Sequence, residues 1–278
     1  MVQPFGRARY TNFQQIGEGS QATVFVANDR LSTSPVAIKV YKNFKTVPHE
    51  AEILKKIQSK KMRHSVHLKD SFIKGKNYYI VMPMIKGTEL FKMVYDISLS
   101  EAKNLMKLIF AAVAELHENN ICHLDIKMEN IIYNQNKNSV KLIDFGFAKR
   151  CKRFGKSVKM TNYCGSFPYT SPEIRKHTPY DGKKADVWAL GVLLYTMLER
   201  EFPFSSEDSS QSAIKFRATV DKATQQFIKS LLNPDPSGRP KITELVNHSW
   251  LTSVGKELNT SFTAEQDSPS GALFSWVV

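Results

Sequence analysis

Three cysteines in 278 residues, Cys122, Cys151 and Cys164, are too few and odd in number for a disulfide framework, and their spacing matches no zinc-ligand pattern. That scarcity fits a reducing, intracellular setting, with the cytoplasm as the expected compartment. No stretch is apolar enough to predict a membrane span: the most hydrophobic helix-like run, Leu105 to Leu116, is broken by Lys107 and Glu115, and the amino terminus has no apolar signal core. Asn247-His248-Ser249 and Asn259-Thr260-Ser261 fit the glycosylation pattern, which has no chemistry to act through without secretion. Internal repeats are lacking. Acidic residues are the minority charge, 26 against 39 Lys and Arg, so the formal net charge is +13. Such an excess suits anionic partners, yet the bases are scattered rather than interleaved with aromatics, so no nucleic-acid partner is expected.

What is present is a globular composition, 42% hydrophobic and 23% charged, in a chain long enough for one large domain or two joined lobes. From Phe13 to about Met82 short β-rich runs alternate with turns: Val24-Phe25-Val26, Val36 to Tyr41, and Tyr78 to Met82. This half reads as an antiparallel sheet interrupted by one helix, on which Glu50, Ile53, Leu54 and Ile57 share a face. After Gly87 the character becomes helical. Ser98 and Glu101 stand in capping-box register ahead of an apolar stripe of Leu105, Leu108, Ile109, Ala112 and Leu116. Strand signals at Asn130 to Tyr133 and Val140 to Ile143, an irregular basic stretch, and helices around Ala185 to Leu198, Lys222 to Leu232 and Thr243 to His248 follow. The tail from about Thr252 is rich in Ser, Thr and Gly with an apolar end at Leu273, Phe274, Trp276 and Val277.

Several short strings carry chemistry. Gly17-Glu18-Gly19-Ser20-Gln21-Ala22-Thr23-Val24 is a glycine-rich turn, suited either to close backbone approach to phosphates or to an ordinary hairpin. A strand rather than a helix follows it, and Ala22 replaces a third glycine, which argues against a dinucleotide-binding fingerprint. Val36-Ala37-Ile38-Lys39 places an ammonium in an apolar strand, where it needs an anionic partner. Glu50 is that candidate, because it shares the inward face of its helix while Glu52 points roughly the opposite way at about 100° per residue. In His123-Leu124-Asp125-Ile126-Lys127-Met128-Glu129-Asn130, Asp125 is a carboxylate able to orient a hydroxyl, Lys127 an ammonium for a moving phosphoryl group, and Asn130 an oxygen ligand for magnesium. Asp144-Phe145-Gly146 adds a second metal-binding carboxylate.

In this order the strings, with Ser171-Pro172-Glu173, resemble the signature set of eukaryotic protein kinases over roughly residues 10 to 251. The resemblance implies a two-lobed α+β fold: an N-terminal extension over residues 1–9, a kinase domain over 10–251 with a small antiparallel-sheet lobe over about 10–83 and a larger mainly helical lobe over about 84–251, and a tail over 252–278. It implies ATP and Mg2+ as cofactors, Lys39 on the α- and β-phosphates paired with Glu50, Asn130 and Asp144 on the metal, and Asp125 with Lys127 at the substrate hydroxyl. The nucleotide set would comprise Ile16, Gly17, Glu18, Gly19, Ser20, Gln21, Ala22, Thr23, Val24, Ala37, Lys39, Met82 as gatekeeper, Pro83, Met84 and Ile85 of the hinge, Glu89, Glu129, Ile132 and, deeper, Ile143. Asp186 resembles the aspartate that anchors the catalytic loop, and Arg239 the arginine paired with Glu173. Lys127 and Ser166 resemble the serine/threonine branch, and His248-Ser249-Trp250 with Cys164-Gly165-Ser166 the calmodulin-dependent-kinase-like group. No calmodulin-binding helix is evident, so calcium control is not expected. The expected protein is a monomer acting on Ser/Thr in protein substrates. A nucleotide-binding pseudokinase scaffold is the alternative, and an adaptor that uses the fold to bind anionic polymers is a third reading.

Three features depart from the family pattern. Leu124 stands where most such kinases carry arginine for a phosphorylated activation loop, which predicts activity independent of that phosphorylation; Asn162 stands near the usual phosphothreonine, with Ser157 and Thr161 as remaining candidates. The connection between Lys39 and Glu50 is short, with Pro48 expected in the first turn of a trimmed helix, which favours the paired arrangement. The bases Lys149, Arg150, Lys152, Arg153, Lys156 and Lys159 form a run without acidic residues, read either as a solvated loop or as an anion-docking segment. Against acidic substrates, Glu89 and Glu129 resemble positions that read arginine upstream of the target residue, so basic-directed substrates are expected.

Overall fold

The computed structural model describes residues 9–19, 22–32, 34–153, 156–204 and 214–253. They form two compact units, one gathering the chain through Lys55 with His67–Met84, the other gathering Lys56–Val66 with the chain from Ile85 onward. The apolar tail end at Leu273 to Val277 lies outside the described residues.

The first unit is an antiparallel sheet in the order β1-β2-β3-β5-β4, built from β1 (Tyr10–Glu18), β2 (Thr23–Asp29), β3 (Pro35–Tyr41), β4 (Asp70–Lys74) and β5 (Asn77–Pro83). Period-two alternation makes it: in β3, Val36, Ile38 and Val40 are buried on one face, leaving Ala37, Lys39 and Tyr41 on the other. Phe72 stacks on Tyr79 at 4.8 Å and on Tyr10 at 6.0 Å beside that buried row. Asp29 closes one end of the sheet, bound by Arg9 at 2.7 Å and Lys69 at 2.9 Å. The Arg9 guanidinium holds the Asp29 carboxyl well below the usual carboxylate range. Helix α1 (His49–Ser59) buries Ala51, Ile53, Leu54 and Ile57. Pro48 sits just ahead of its first turn and accepts the Ala51 N–H at 2.9 Å, rather than lying inside that turn.

The second unit is organised by α2 (Leu99–Glu118) and α4 (Gly182–Glu199), with α3 (Pro172–Arg175) between them. The capping box of α2 forms as its sequence predicts: Ser98 Oγ accepts the Glu101 N–H at 3.2 Å, and Glu101 accepts the Ser98 N–H at 2.8 Å, a device worth about 1 kcal/mol. Helix α4 is buried from Ala185 to Glu199, its apolar residues being spread around the helix rather than confined to one stripe. Helix α5 (Lys222–Leu231) joins α2 through Phe227, which meets Phe110 at 6.3 Å and stacks on Trp250 at 4.6 Å. The helix expected at Thr243 to His248 is shorter and earlier, α6 (Ile242–Leu245), followed by a 3-10 turn at Ser249–Leu251.

Short strands complete the unit. β6 (Thr88–Glu89) and β7 (Ile121–Cys122) precede the hairpin of β8 (Ile131–Asn134) and β9 (Ser139–Leu142), each within one residue of its expected span. The basic stretch is not irregular throughout: β10 (Lys149–Arg150) pairs with β7, and β11 (Lys152–Arg153) with β12 (Lys156–Ser157). Residues Lys56–Val66 group with this unit, although the sequence suggests a single boundary near Pro83. The reason is a set of hydrogen bonds, two between backbones and two to a side chain: Leu142 N–H to His64 O at 2.7 Å, Val66 N–H to Leu142 O at 2.9 Å, and the Arg63 and His64 N–H groups to the Glu115 carboxylate at 2.6 and 2.9 Å.

Candidate active site

The loop after β7 is held from below by Asp186, a fully buried carboxylate on α4. It accepts the His123 N–H at 3.0 Å and the Leu124 N–H at 2.8 Å, and lies 2.8 Å from His117 Nε2. Between these bonds Leu124 takes φ +65°, a left-handed conformation that costs a branched side chain about 1 kcal/mol or more. His123 passes the order onward. Its Nε2 donates to Ile143 O at 3.2 Å, its Nδ1 accepts the Asp125 N–H at 3.3 Å, and its ring packs on Phe145 with centroids 5.0 Å apart.

Asp125 is buried, and both its oxygens are engaged. Ser166 Oγ donates to Oδ1 at 2.8 Å, while Asn130 Nδ2 donates to Oδ2 at 2.9 Å. Lys127 Nζ stands 3.4 Å from Oδ2 and donates to Ser166 Oγ at 2.9 Å. Gly165 makes this convergence possible: at φ +88°, a Cβ there would come within 2.7 Å of the Leu124 carbonyl oxygen. The ammonium and the hydroxyl thus flank a carboxylate whose orientation is fixed, which is what proton acceptance from a substrate hydroxyl requires.

Asn130 and Asp144 fit magnesium on their donor chemistry. Asn130 Nδ2 is spent on Asp125 O and Oδ2, both at 2.9 Å, so its carbonyl oxygen is turned away from them and accepts no hydrogen bond among the described residues. Asp144 adopts φ +54°, with Oδ1 accepting the Gly146 N–H at 3.0 Å. The Ile143 N–H bonds Asn130 O at 2.9 Å, which ties the residue before Asp144 to the backbone of Asn130.

In the sheet unit, Lys39 Nζ lies 3.0 Å from Glu50 Oε2, and Glu50 is almost wholly buried. Tyr41 Oη donates to the same oxygen. Glu52 is exposed. Gly17 and Glu18 lie at the end of β1, the turn closes with Gly19 N–H to Ala22 O at 2.9 Å, and Ser20 and Gln21 lie outside the described residues. Val24 pairs with Lys39 in register, and Ala37 with Met82. Ala22 and Thr23 are buried, Ile16 and Met84 are exposed, and Pro83 is intermediate. In the second unit Ile132 is opposite Glu89, and Ile143 is half-buried. Glu129 has a buried Oε2 without a hydrogen-bond partner among the described residues, and burial, with Asp125 and Glu89 nearby, pushes its carboxyl up.

Glu173 and Arg239 form a bidentate buried pair at 2.7 and 2.8 Å, with the guanidinium over the Trp188 ring. Sequence reasoning missed Tyr41 and His117. Alternation in β3 places Tyr41 on the face of Lys39, and His117 falls on the buried face of α2 one turn from Val113, so both left a periodic signal.

A carboxylate oriented for a hydroxyl, a neighbouring ammonium and two hard-oxygen side chains suit phosphoryl transfer, and comparison with known proteins agrees. The protein kinase domain family matches residues 10–251. Testis-specific serine/threonine-protein kinase 3 of Mus musculus is 33% identical over 86% of this chain and 94% of that protein. Sperm motility kinase 3A of Mus musculus is 30% identical over 88% of the chain and 50% of that protein. Human hormonally up-regulated neu tumor-associated kinase is 33% identical over 86% of the chain and 36% of that protein. The chain therefore belongs to the protein kinase family and aligns with kinases of the serine/threonine type, while spanning half or less of the length of several of these relatives. The architecture is that of the family, an antiparallel-sheet unit and a helical unit, and no described helix is long and apolar enough to cross a membrane.

Proposed function

We propose that the chain transfers the γ-phosphoryl group of ATP to serine or threonine hydroxyls of protein substrates. The observation that carries this reading is the Asp125 carboxylate, held by Ser166 and Asn130 with Lys127 at 3.4 Å. Asp125 accepts the substrate proton, Lys127 offsets charge on the transferred group, and Lys39, fixed by Glu50, holds the nucleotide phosphates. Asn130 and Asp144 would hold Mg2+, which when bound with ATP supplies charge neutralisation at the phosphate oxygens. The test is transfer from γ-labelled ATP to peptides: Asp125→Asn should lose on the order of 10² to 10⁴ of kcat while keeping nucleotide affinity. A variant that keeps full transfer overturns the reading.

Two finer properties follow the same reasoning. Glu129, with an unpartnered buried oxygen, and Glu89 favour peptides with arginine upstream of the target hydroxyl; Glu129→Gln should raise KM for such peptides more than for neutral ones. Activity is independent of activation-segment phosphorylation, because Leu124 packs into an apolar cluster with Cys151, Met160, Cys164 and Tyr180 where an arginine would serve as phosphate receptor. Phosphatase treatment should leave activity within about twofold; loss of nearly all activity refutes this.

A further inference from the structure

The three cysteines, far apart in sequence, lie in one buried cluster with Leu124, Met160 and Tyr180. Two of them are neighbours by strand register. Cys122 is opposite Lys149, Ile121 is opposite Arg150, and the Cys151 N–H donates to Asn120 O at 3.1 Å. Cys151 is thereby the diagonal neighbour of Cys122 on the same face of the pair. The neighbouring Cys151 sulfur, with burial, pushes the Cys122 thiol up, while Cys122 and the nearby Lys183 bring the Cys151 thiol down. Cys164 is engaged elsewhere, its sulfur 3.0 Å from Tyr180 Oη, and burial pushes its thiol up.

We propose that Cys122 and Cys151 are a reversible dithiol–disulfide pair, closed by a hydroperoxide, that cross-links the catalytic loop to the start of the activation segment. The Cys151 thiolate attacks one peroxide oxygen, breaking the O–O bond and giving a sulfenic acid and hydroxide. Cys122 sulfur then attacks the Cys151 sulfur, and its thiol proton leaves with the departing hydroxyl as water. The peroxide is reduced and the two sulfurs are oxidised. Closing the bond brings the sulfurs to about 2.05 Å, across strands that the β7–β10 pairing already holds together. The bond lies one residue before His123 and directly ahead of β11, so it holds the basic hairpin against the loop that carries Asp125.

The experiment treats the reduced full chain with hydrogen peroxide near neutral pH and maps peptides without reduction. The expected product is a Cys122–Cys151 cross-link, reversed by a thiol reductant, absent in Cys151→Ser and retained in Cys164→Ser. Trypsin cleavage after Lys152 and Lys156 should slow severalfold on oxidation and recover on reduction. A sulfinic acid at Cys151, a cross-link through Cys164, three unmodified thiols, or equal cleavage of both forms overturns the proposal; the unsubstituted protein decides even where a variant fails to fold. Mass and protease resistance are the readouts, so failure here leaves the phosphotransfer reading intact.

Discussion

The activation segment is fastened near its start and at its end by opposite kinds of chemistry. Near its start, Leu124, Cys122, Cys151, Met160, Cys164 and Tyr180 form an apolar, sulfur-rich cluster. At its end, Glu173 and Arg239 make a buried ion pair, with the guanidinium over the Trp188 ring. The apolar anchor forms from burial alone and needs no charge, phosphate or counter-ion. The ionic anchor is specific in geometry but leaves an uncompensated buried charge when either partner is lost. The difference teaches that Leu124, beside Asp125, ties the segment by burial, where an arginine at that position would need a phosphate to bind.

Breaking the ionic anchor should have the largest effect. Glu173→Ala leaves Arg239 buried without its carboxylate and should destabilise the protein by about 3 to 5 kcal/mol, read as a lower denaturation midpoint in urea. Breaking the apolar anchor comes next: Leu124→Ala should cost roughly 2 to 4 kcal/mol, and unlike the first loss it should be accompanied by faster protease cleavage of the basic hairpin. Tyr180→Phe removes the hydroxyl that donates to Asn162 O at 3.0 Å and meets Cys164; about 1 kcal/mol is expected. The smallest effect sharpens the contrast through pH. Asp29 is held low by Arg9, so its contribution is full above the ordinary carboxylate pKa and is lost as pH falls through the depressed folded value. Acid titration from pH 7 to 5 should therefore leave this clamp unchanged, and its loss should appear only in stronger acid, as an acid-unfolding limb that Asp29→Asn removes.

Local features were legible because they repeat at short range. The capping box at Ser98 and Glu101, the inward face of Glu50 and the alternation of β3 each lie within a few residues, where helical or strand period reports them directly. The kinase motifs put Asp125, Asn130 and Asp144 forward as candidates through their order along the chain, and the structure brings Asn130 onto Asp125. What sequence could not convey was convergence at long range: Ser166 reaching Asp125 past Gly165, the cysteine pair created by β7–β10 register, and Lys56–Val66 joining the helical unit through Leu142 and Glu115. Each depends on tertiary approach between segments with no shared periodicity. The basic stretch misled for a related reason, since its hairpin places charged side chains where strand patterning expects apolar ones.

One consequence concerns the oxygen that Lys39 and Tyr41 share. Both side chains project from the same face of β3 onto Glu50 Oε2. A slip of α1 by one residue turns its carboxylate through about 100° and abandons both donors together. The strand therefore gauges the helix at two points, and its docking behaves as a keyed latch with a single seated position rather than as a sliding contact with intermediate stops.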